Sequence, residues 1–161
     1  MRTVLKWSVV TCIATVFTLV SSGCQDSEQS AAALPTCPGS ATSEYGLGNA
    51  INAAAPKLAA LPDRVATGEG TVISVEGAAA PLRVAITVCG TGLDDAELKD
   101  VASTLGIAVA GTTSLGKQVG ALTVELQPAN KVIRAAPFVA NNFTSTAELT
   151  DLRGNWAINS N

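Results

Sequence analysis

The alternation of apolar and polar residues predicts two neighbouring strands in the middle of the chain. From Leu82 to Cys89, every second side chain is a large aliphatic one, so one face of this strand would be buried. Thr71 to Glu76 is a shorter β-branched stretch with the same alternation. Because only the segment Gly77 to Pro81 separates them, the two strands are predicted to form a hairpin.

Apolar residues at spacings of three and four predict two helices. The first would cover Ser43 to Leu61. The second would begin at Asp94, which Glu97 follows three residues later, the spacing of a capping box. Gly106 would end the second helix, because glycine commonly follows the last helical residue. Ile107 to Ala110 would then be a short strand.

Two further strands are predicted at Leu122 to Leu126 and at Lys131 to Ala136, with the turn Pro128 to Asn130 between them. Together with the helices they indicate an α+β fold. We expect a mainly antiparallel sheet of about four to six strands with helices packed on one face. A chain of 161 residues is long enough for a single domain with its own core.

The end of the chain allows two interpretations. Ala147 to Asp151 matches the helical stretch Ala96 to Asp100 at four of five positions, which favours a repeated strand-strand-helix unit. Alternatively, Ala147 to Thr150 and Asn155 to Asn159 would be the strands of a terminal hairpin. The sequence does not separate the two.

The N-terminal region has the layout of a secretory signal. Arg2 and Lys6 precede an uncharged run of 14 residues, Trp7 to Val20. This run is shorter than the about 20 apolar residues that a membrane span needs. Small residues and then Cys24 follow it. The stretch Leu19 to Cys24 resembles the lipobox of bacterial lipoproteins, and the composition is similar to that of small actinobacterial lipoproteins.

In that family the cysteine thiol receives a diacylglycerol, the signal is cleaved before the cysteine, and the new amino group is often acylated. The resemblance implies a signal peptide at residues 1–23 and a lipid on Cys24. The polar and small residues that follow indicate a flexible tether at 24–36. The helix and strand patterns predict a globular α+β domain at 37–161. Acyl chains on Cys24 would hold the protein at the extracytoplasmic face of the cell membrane, since each buried CH₂ contributes about 0.8 kcal/mol. The alternative is an ordinary secreted protein, cleaved after Gly23.

The resemblance also assigns the cysteines. Cys12 would leave with the signal and Cys24 would carry the lipid, so only Cys37 and Cys89 would remain, outside the cytoplasm, where disulfides form. We expect them to form a structural disulfide between the tether and the domain. A metal site or a redox pair is disfavoured, because the chain has no His and the two cysteines do not form a Cys-x-x-Cys motif.

Composition excludes several classes of function. Without His, the chain has no Ser-His-Asp triad and no imidazole metal ligand. A net charge of −3, with no run of Lys or Arg, argues against a nucleic-acid partner. The densest acidic cluster is Asp94, Asp95, Glu97 and Asp100, in which Asp94 is predicted to be the helix cap and the others a solvated helix face rather than a metal site. We therefore expect no cofactor and no metal.

These observations favour a non-enzymatic, membrane-anchored lipoprotein that binds an unknown protein or small-molecule partner. The alternative is a carrier of a small apolar or lipid molecule, held in a cavity between sheet and helix. Such a cavity would be lined by Ile73, Val84, Ile86, Leu98, Val101 and Leu122, and a filled core at those positions would count against it. A hydrolase would instead need two carboxylates converging in a cleft.

Overall fold

The computed structural model describes residues 33–61 and 63–159. The predicted signal peptide, Cys24 and the first part of the tether lie outside these residues. The described chain contains one five-stranded sheet whose spatial order follows the chain order. Its strands are β1 (Ala66–Ser74), β2 (Leu82–Cys89), β3 (Val119–Gln127), β4 (Lys131–Ala135) and β5 (Ala157–Asn159).

Within residues 33–61 and 63–159, three helices accompany the sheet. They are α1 (Leu47–Ala59), α2 (Asp95–Ala110) and the short α3 (Leu149–Leu152). Turns of 3₁₀-helix lie at Glu44–Gly46, Ala140–Asn142 and Arg153–Asn155. Both long helices contribute to the same buried cluster on one face of the sheet, and α1 packs against both α2 and β1. The predicted α+β class, with helices on one face, is confirmed.

The strand directions explain why α2 is needed. β1 and β2 are antiparallel and form the predicted hairpin, although β1 begins earlier than expected. β2 and β3 are parallel, whereas the β3–β4 and β4–β5 pairs are again antiparallel. Because a parallel pair cannot be joined by a tight turn, α2 crosses over the sheet between β2 and β3.

The core lies between the sheet and the two long helices. Val84 of β2 pairs with Val72 of β1 and with Leu122 of β3, so one row of aliphatic side chains crosses three strands. On the helical side of the core, α2 contributes Leu98 and Leu105, both 0% exposed. The alternation of β2 and the apolar spacing of α2 thus predicted these contacts correctly.

The predicted end of the second helix is wrong. α2 continues through Gly106 to Ala110, so the short strand expected at Ile107 to Ala110 is part of the helix. Gly106 is buried beneath an aromatic ring, and a methyl group there would lie 2.7 Å from Cδ1 of Phe143. The glycine therefore provides room for this ring. The helix ends instead at Ala110, and the C-cap Gly111 donates its N–H to the carbonyl of Ile107 at 3.0 Å.

The first helix is shorter than predicted. It begins at Leu47 rather than at Ser43, because Tyr45 and Gly46 have positive φ angles of 52° and 80°. A right-handed helix cannot start before these two residues. The helix then continues to Ala59.

The C-terminal region combines parts of both interpretations. The helix of the repeat interpretation is present as α3, but it is only four residues long. The strand of the hairpin interpretation is present as β5, which pairs with β4 through Ile158 and Ile133. Residues 147–150 do not pair with β5, so the predicted terminal hairpin is not formed.

Candidate functional site

A disulfide attaches the start of the described chain to the carboxyl end of β2. Cys37 and Cys89 are bonded, with their Cα atoms 5.4 Å apart, so the predicted pairing is confirmed. A methyl group on Gly68 would lie 2.7 Å from the sulfur of Cys37, closer than packed atoms approach. Glycine at this position of β1 therefore lets the disulfide lie against the strand.

The residues after Cys37 are also held by backbone hydrogen bonds. The N–H of Thr42 donates to the carbonyl of Gly70 in β1 at 2.9 Å, next to a parallel bridge between Ala41 and Gly70. The carbonyl of Thr42 accepts from the N–H of Gly48 in α1 at 3.0 Å. The chain therefore enters the fold along the edge of β1, fixed to both the sheet and the first helix.

A cleft of about 180 Å³ lies beside Leu93, at the same end of the sheet as the disulfide. It is bordered by the segment after α1, by the residue before the N-cap of α2 and by the first turns of α2. We call it the Leu93 cleft. Its lining residues are Leu61, Asp63, Val65, Leu93, Glu97, Asp100 and Val101.

The walls of the Leu93 cleft are mainly apolar, and their side chains belong to the buried core. Val65, Leu93 and Val101 are 1%, 7% and 0% exposed. Leu93 directly precedes the N-cap, the position at which an apolar side chain packs as a hydrophobic staple. Together with Leu61 these side chains give the cleft a firm apolar lining.

The N-terminus of α2 is closed by its own side chains. Oδ1 of Asp94 accepts hydrogen bonds from the N–H groups of Ala96 and Glu97, both at 2.8 Å. In return, Oε2 of Glu97 accepts from the N–H of Asp94 at 2.7 Å, so the predicted capping box is present. These backbone hydrogen bonds, first that from Glu97, hold the pKa of Asp94 below its ordinary value of 3.8. A bound anion would have to displace this carboxylate.

Asp100 is paired across the rim of the cleft. Nε and Nη2 of Arg153 donate to its two carboxylate oxygens at 2.7 and 2.6 Å. The hydrogen bonds with Asp100 raise the pKa of Arg153, which stays charged in any case. The pair connects α2 to the turn that follows α3, and it offsets the charge of this carboxylate.

The acidic residues of α2 do not converge on a metal site. Asp95, beyond the cleft, forms an exposed ion pair of 2.9 Å with Lys131 of β4. Within residues 33–61 and 63–159, no group of three His, Cys, Asp or Glu side chains is placed to hold a metal ion. The acidic residues therefore serve as a cap, as two ion pairs and as part of the rim of the cleft.

A second depression of about 240 Å³ lies on the other side of Leu93. It is formed by the glycine-containing loop after β2 and by the turn after β3. Its lining residues are Gly90, Thr91, Gly92, Leu93, Leu126, Pro128 and Ala129. None of the described residues that line it is charged, in contrast to the Leu93 cleft.

The residues expected to line a carrier cavity lie mostly in the packed core. Val84, Ile86, Leu98, Val101 and Leu122 are 0–2% exposed and belong to one continuous cluster. Ile73, the sixth, is 63% exposed and lies on the opposite face of the sheet, beside Arg83. Of these six, Val101 alone also borders the Leu93 cleft.

Sequence reasoning singled out Glu97, Asp100 and Val101 but missed Leu93, Asp63 and Val65. Leu93 carried a local signal, because it stands between a glycine and a capping aspartate. Asp63 and Val65 carried none, because their contribution depends on how the chain returns from α1 to β1.

Comparison of the chain with protein-family models, with curated proteins and with solved structures finds no match. Among the described residues, no helix has the length and apolar character required to span a bilayer.

Proposed function

We propose that this protein is a non-enzymatic lipoprotein, anchored by acyl chains on Cys24 at the extracytoplasmic face of the cell membrane, and that its folded part binds a small molecule or a protein. The anchor rests on the lipobox-like stretch Leu19 to Cys24. Two or more acyl chains give firm attachment, where one alone binds only reversibly.

The observation that carries this proposal is the disulfide between Cys37 and Cys89. A bonded pair is the expected state outside the cytoplasm, whereas cytoplasmic thiols are kept reduced. The bond also attaches Cys37, which lies 13 positions after Cys24, to the folded domain. That segment spans at most about 45 Å when fully extended. The disulfide would therefore lie within about 45 Å of the residue that carries the lipid.

Binding is proposed at the Leu93 cleft, because it combines buried apolar walls with charged groups at its rim. This combination is typical of small-molecule sites, in which apolar contacts give affinity and a few polar groups give specificity. Its volume of about 180 Å³ limits the ligand, or the part of a larger partner that enters the cleft, to a small group.

A carrier of an apolar molecule remains the second candidate, with less support. The core between sheet and helices is filled at five of the six positions that would line its cavity. A carrier would need this core to open. Release of an extractable lipid from the purified native protein, detected by mass spectrometry, would favour the carrier over the small-ligand site.

The anchor is tested by intact mass and fractionation of the native protein. We expect the processed protein to begin at Cys24, to be heavier than its polypeptide by the acyl groups, and to enter the detergent phase. Cys24→Ala should abolish both the added mass and the detergent partitioning. Cys12→Ala is the matched control, because this cysteine would leave with the signal. Native protein with no added mass on Cys24 would contradict the proposal.

A further inference from the structure

We propose that the Leu93 cleft binds a small organic cation with a short apolar body, such as a primary alkylammonium ion. This inference deepens the proposed function, because it assigns ligand chemistry to the cleft in which binding is placed. The inference does not depend on the lipid anchor, so an experiment that contradicts one leaves the other standing.

The size of the cleft sets the size of the ligand. One water molecule takes about 30 Å³ of liquid volume. The volume of about 180 Å³ therefore corresponds to about six waters, which is enough for an alkyl group of three or four carbons and a polar head. Larger molecules would have to extend into solvent.

The walls determine the body of the ligand. Val65, Leu93 and Val101 are each more than nine-tenths buried, yet they face an unfilled space. Water in such a space finds few hydrogen-bond partners on its apolar side. An alkyl group that displaced this water would bury its CH₂ groups against apolar side chains, which favours binding.

The charged groups at the rim of the cleft determine the sign of the charge that the ligand carries. Among the lining residues that the structure describes, the three ionisable ones are acidic: Asp63, Glu97 and Asp100. Arg153 already engages both oxygens of Asp100, and one oxygen of Glu97 is used by the capping box. Among the described lining carboxylates, that of Asp63 and the second oxygen of Glu97 would therefore accept hydrogen bonds from a ligand. An ammonium group would donate to these oxygens, whereas an anion would be repelled.

A metal ion fits the same cleft poorly. Calcium and magnesium require about six oxygen ligands around one point, and the apolar walls cannot supply them. An alkylammonium ion needs only two or three acceptors on one side, with apolar contact on the other. The asymmetry of the cleft, apolar inside and acidic at the rim, matches this amphiphilic shape.

The test is a titration of the full chain carrying Cys24→Ala, in which every described residue and the disulfide are kept. n-Butylammonium is added and amide chemical shifts are followed by NMR. We expect saturable shifts at Val65, Leu93 and Val101, with a Kd on the order of 1 mM, as suits a ligand of five heavy atoms. n-Butanol and butyrate, which have similar bodies but no positive charge, should bind at least threefold more weakly.

Two variants distinguish the contribution of charge to ligand binding from the contribution of shape. Asp63→Asn should weaken n-butylammonium binding about three- to fivefold, the effect of one exposed ion pair, and leave n-butanol binding unchanged. Asp151→Asn, an exposed carboxylate on α3 outside the cleft, is the matched control and should bind like the parent. Equal binding of n-butanol, equal weakening by both variants, or no saturable shift at tenfold the expected Kd would overturn the inference.

Discussion

The indole Nε1 of Trp156 donates a hydrogen bond of 3.0 Å to the hydroxyl of Ser103, and both residues are buried. Ser103 lies in α2 and Trp156 directly precedes β5, so this bond fixes the C-terminal segment to the central helix. The ring of Phe143 meets Trp156 edge to face, at a centroid distance of 5.6 Å, and stacks on Phe138 at 4.7 Å. One polar contact and three aromatic rings thus close this end of the core.

Removing the hydroxyl should destabilise the protein more than an ordinary serine substitution does. Ser103→Ala leaves the N–H of Trp156 buried without a partner, which we expect to lower the free energy of unfolding by about 1–3 kcal/mol. Urea denaturation followed by tryptophan fluorescence measures this loss. Ser114→Ala, which removes an exposed hydroxyl bonded to the carbonyl of Tyr45, should change stability by less than about 0.5 kcal/mol. Equal stabilities of the two variants would show that the buried bond contributes nothing.

Gly106→Ala should destabilise the protein, although alanine is the better helix former. In an open helix interior this substitution gains about 0.5–1 kcal/mol. Here the new methyl group would lie 2.7 Å from the ring of Phe143, so the ring must shift or the helix must bend. Thermal denaturation of Gly106→Ala should therefore give a lower Tm than the parent.

The control for this prediction is Gly154→Ala, because a methyl group at Gly154 would meet no other atom within 4 Å. This variant should keep the parent Tm or slightly raise it. In a Phe143→Leu background the penalty of Gly106→Ala should shrink, since the aromatic ring is gone. An undiminished penalty in that background would mean that the helix backbone, and not the ring, disfavours alanine.

Gly106 also shows which parts of the fold the sequence could predict. The start of α2 depends on Asp94 and Glu97, which are three residues apart, and both the capping box and the apolar stripe followed from the sequence. The glycine at position 106, inside α2, is explained by its contact with Phe143, which is distant along the chain. A glycine beneath a ring and a glycine after a helix have the same local sequence signal, so only the tertiary contact distinguishes them.

The same division applies to the candidate site. Pairing of Cys37 with Cys89 could be predicted because the assignment of the other two cysteines left a single possibility. The Leu93 cleft could not, because it arises where the segment after α1 meets the first turns of α2. Neither segment carries a sequence motif for binding, and their meeting is set by packing in the core.

Loss of the disulfide should lower stability substantially. The bond closes a loop between positions 52 apart, and in the chain-entropy model this is worth about 4 kcal/mol. The double variant Cys37→Ser/Cys89→Ser should therefore have a clearly lower Tm and urea midpoint than the parent. A reductant should lower the Tm of the parent and leave that of the double variant unchanged. A parent protein with two free thiols, or equal Tm values for both proteins, would exclude a stabilising role for this bond.

Acid should weaken the capping of α2 in a way that a single substitution can reveal. The folded pKa of Asp94 is held below 3.8 by the backbone N–H groups it accepts from, so its carboxylate stabilises the folded state at neutral pH. This contribution is complete above the unfolded pKa and is lost as pH falls through the lower folded value. Asp94→Asn keeps an acceptor oxygen at the N-cap but cannot titrate.

We therefore expect the Tm of the parent to exceed that of Asp94→Asn at pH 7, and the difference to shrink as the pH falls below the unfolded pKa of about 3.9. Tm values measured by circular dichroism across this range give the comparison. Asp151→Asn, an exposed carboxylate on α3, should follow the parent throughout. If the difference between the parent and Asp94→Asn persists unchanged at the lowest pH, the ionised carboxylate of Asp94 is not what stabilises the start of the helix.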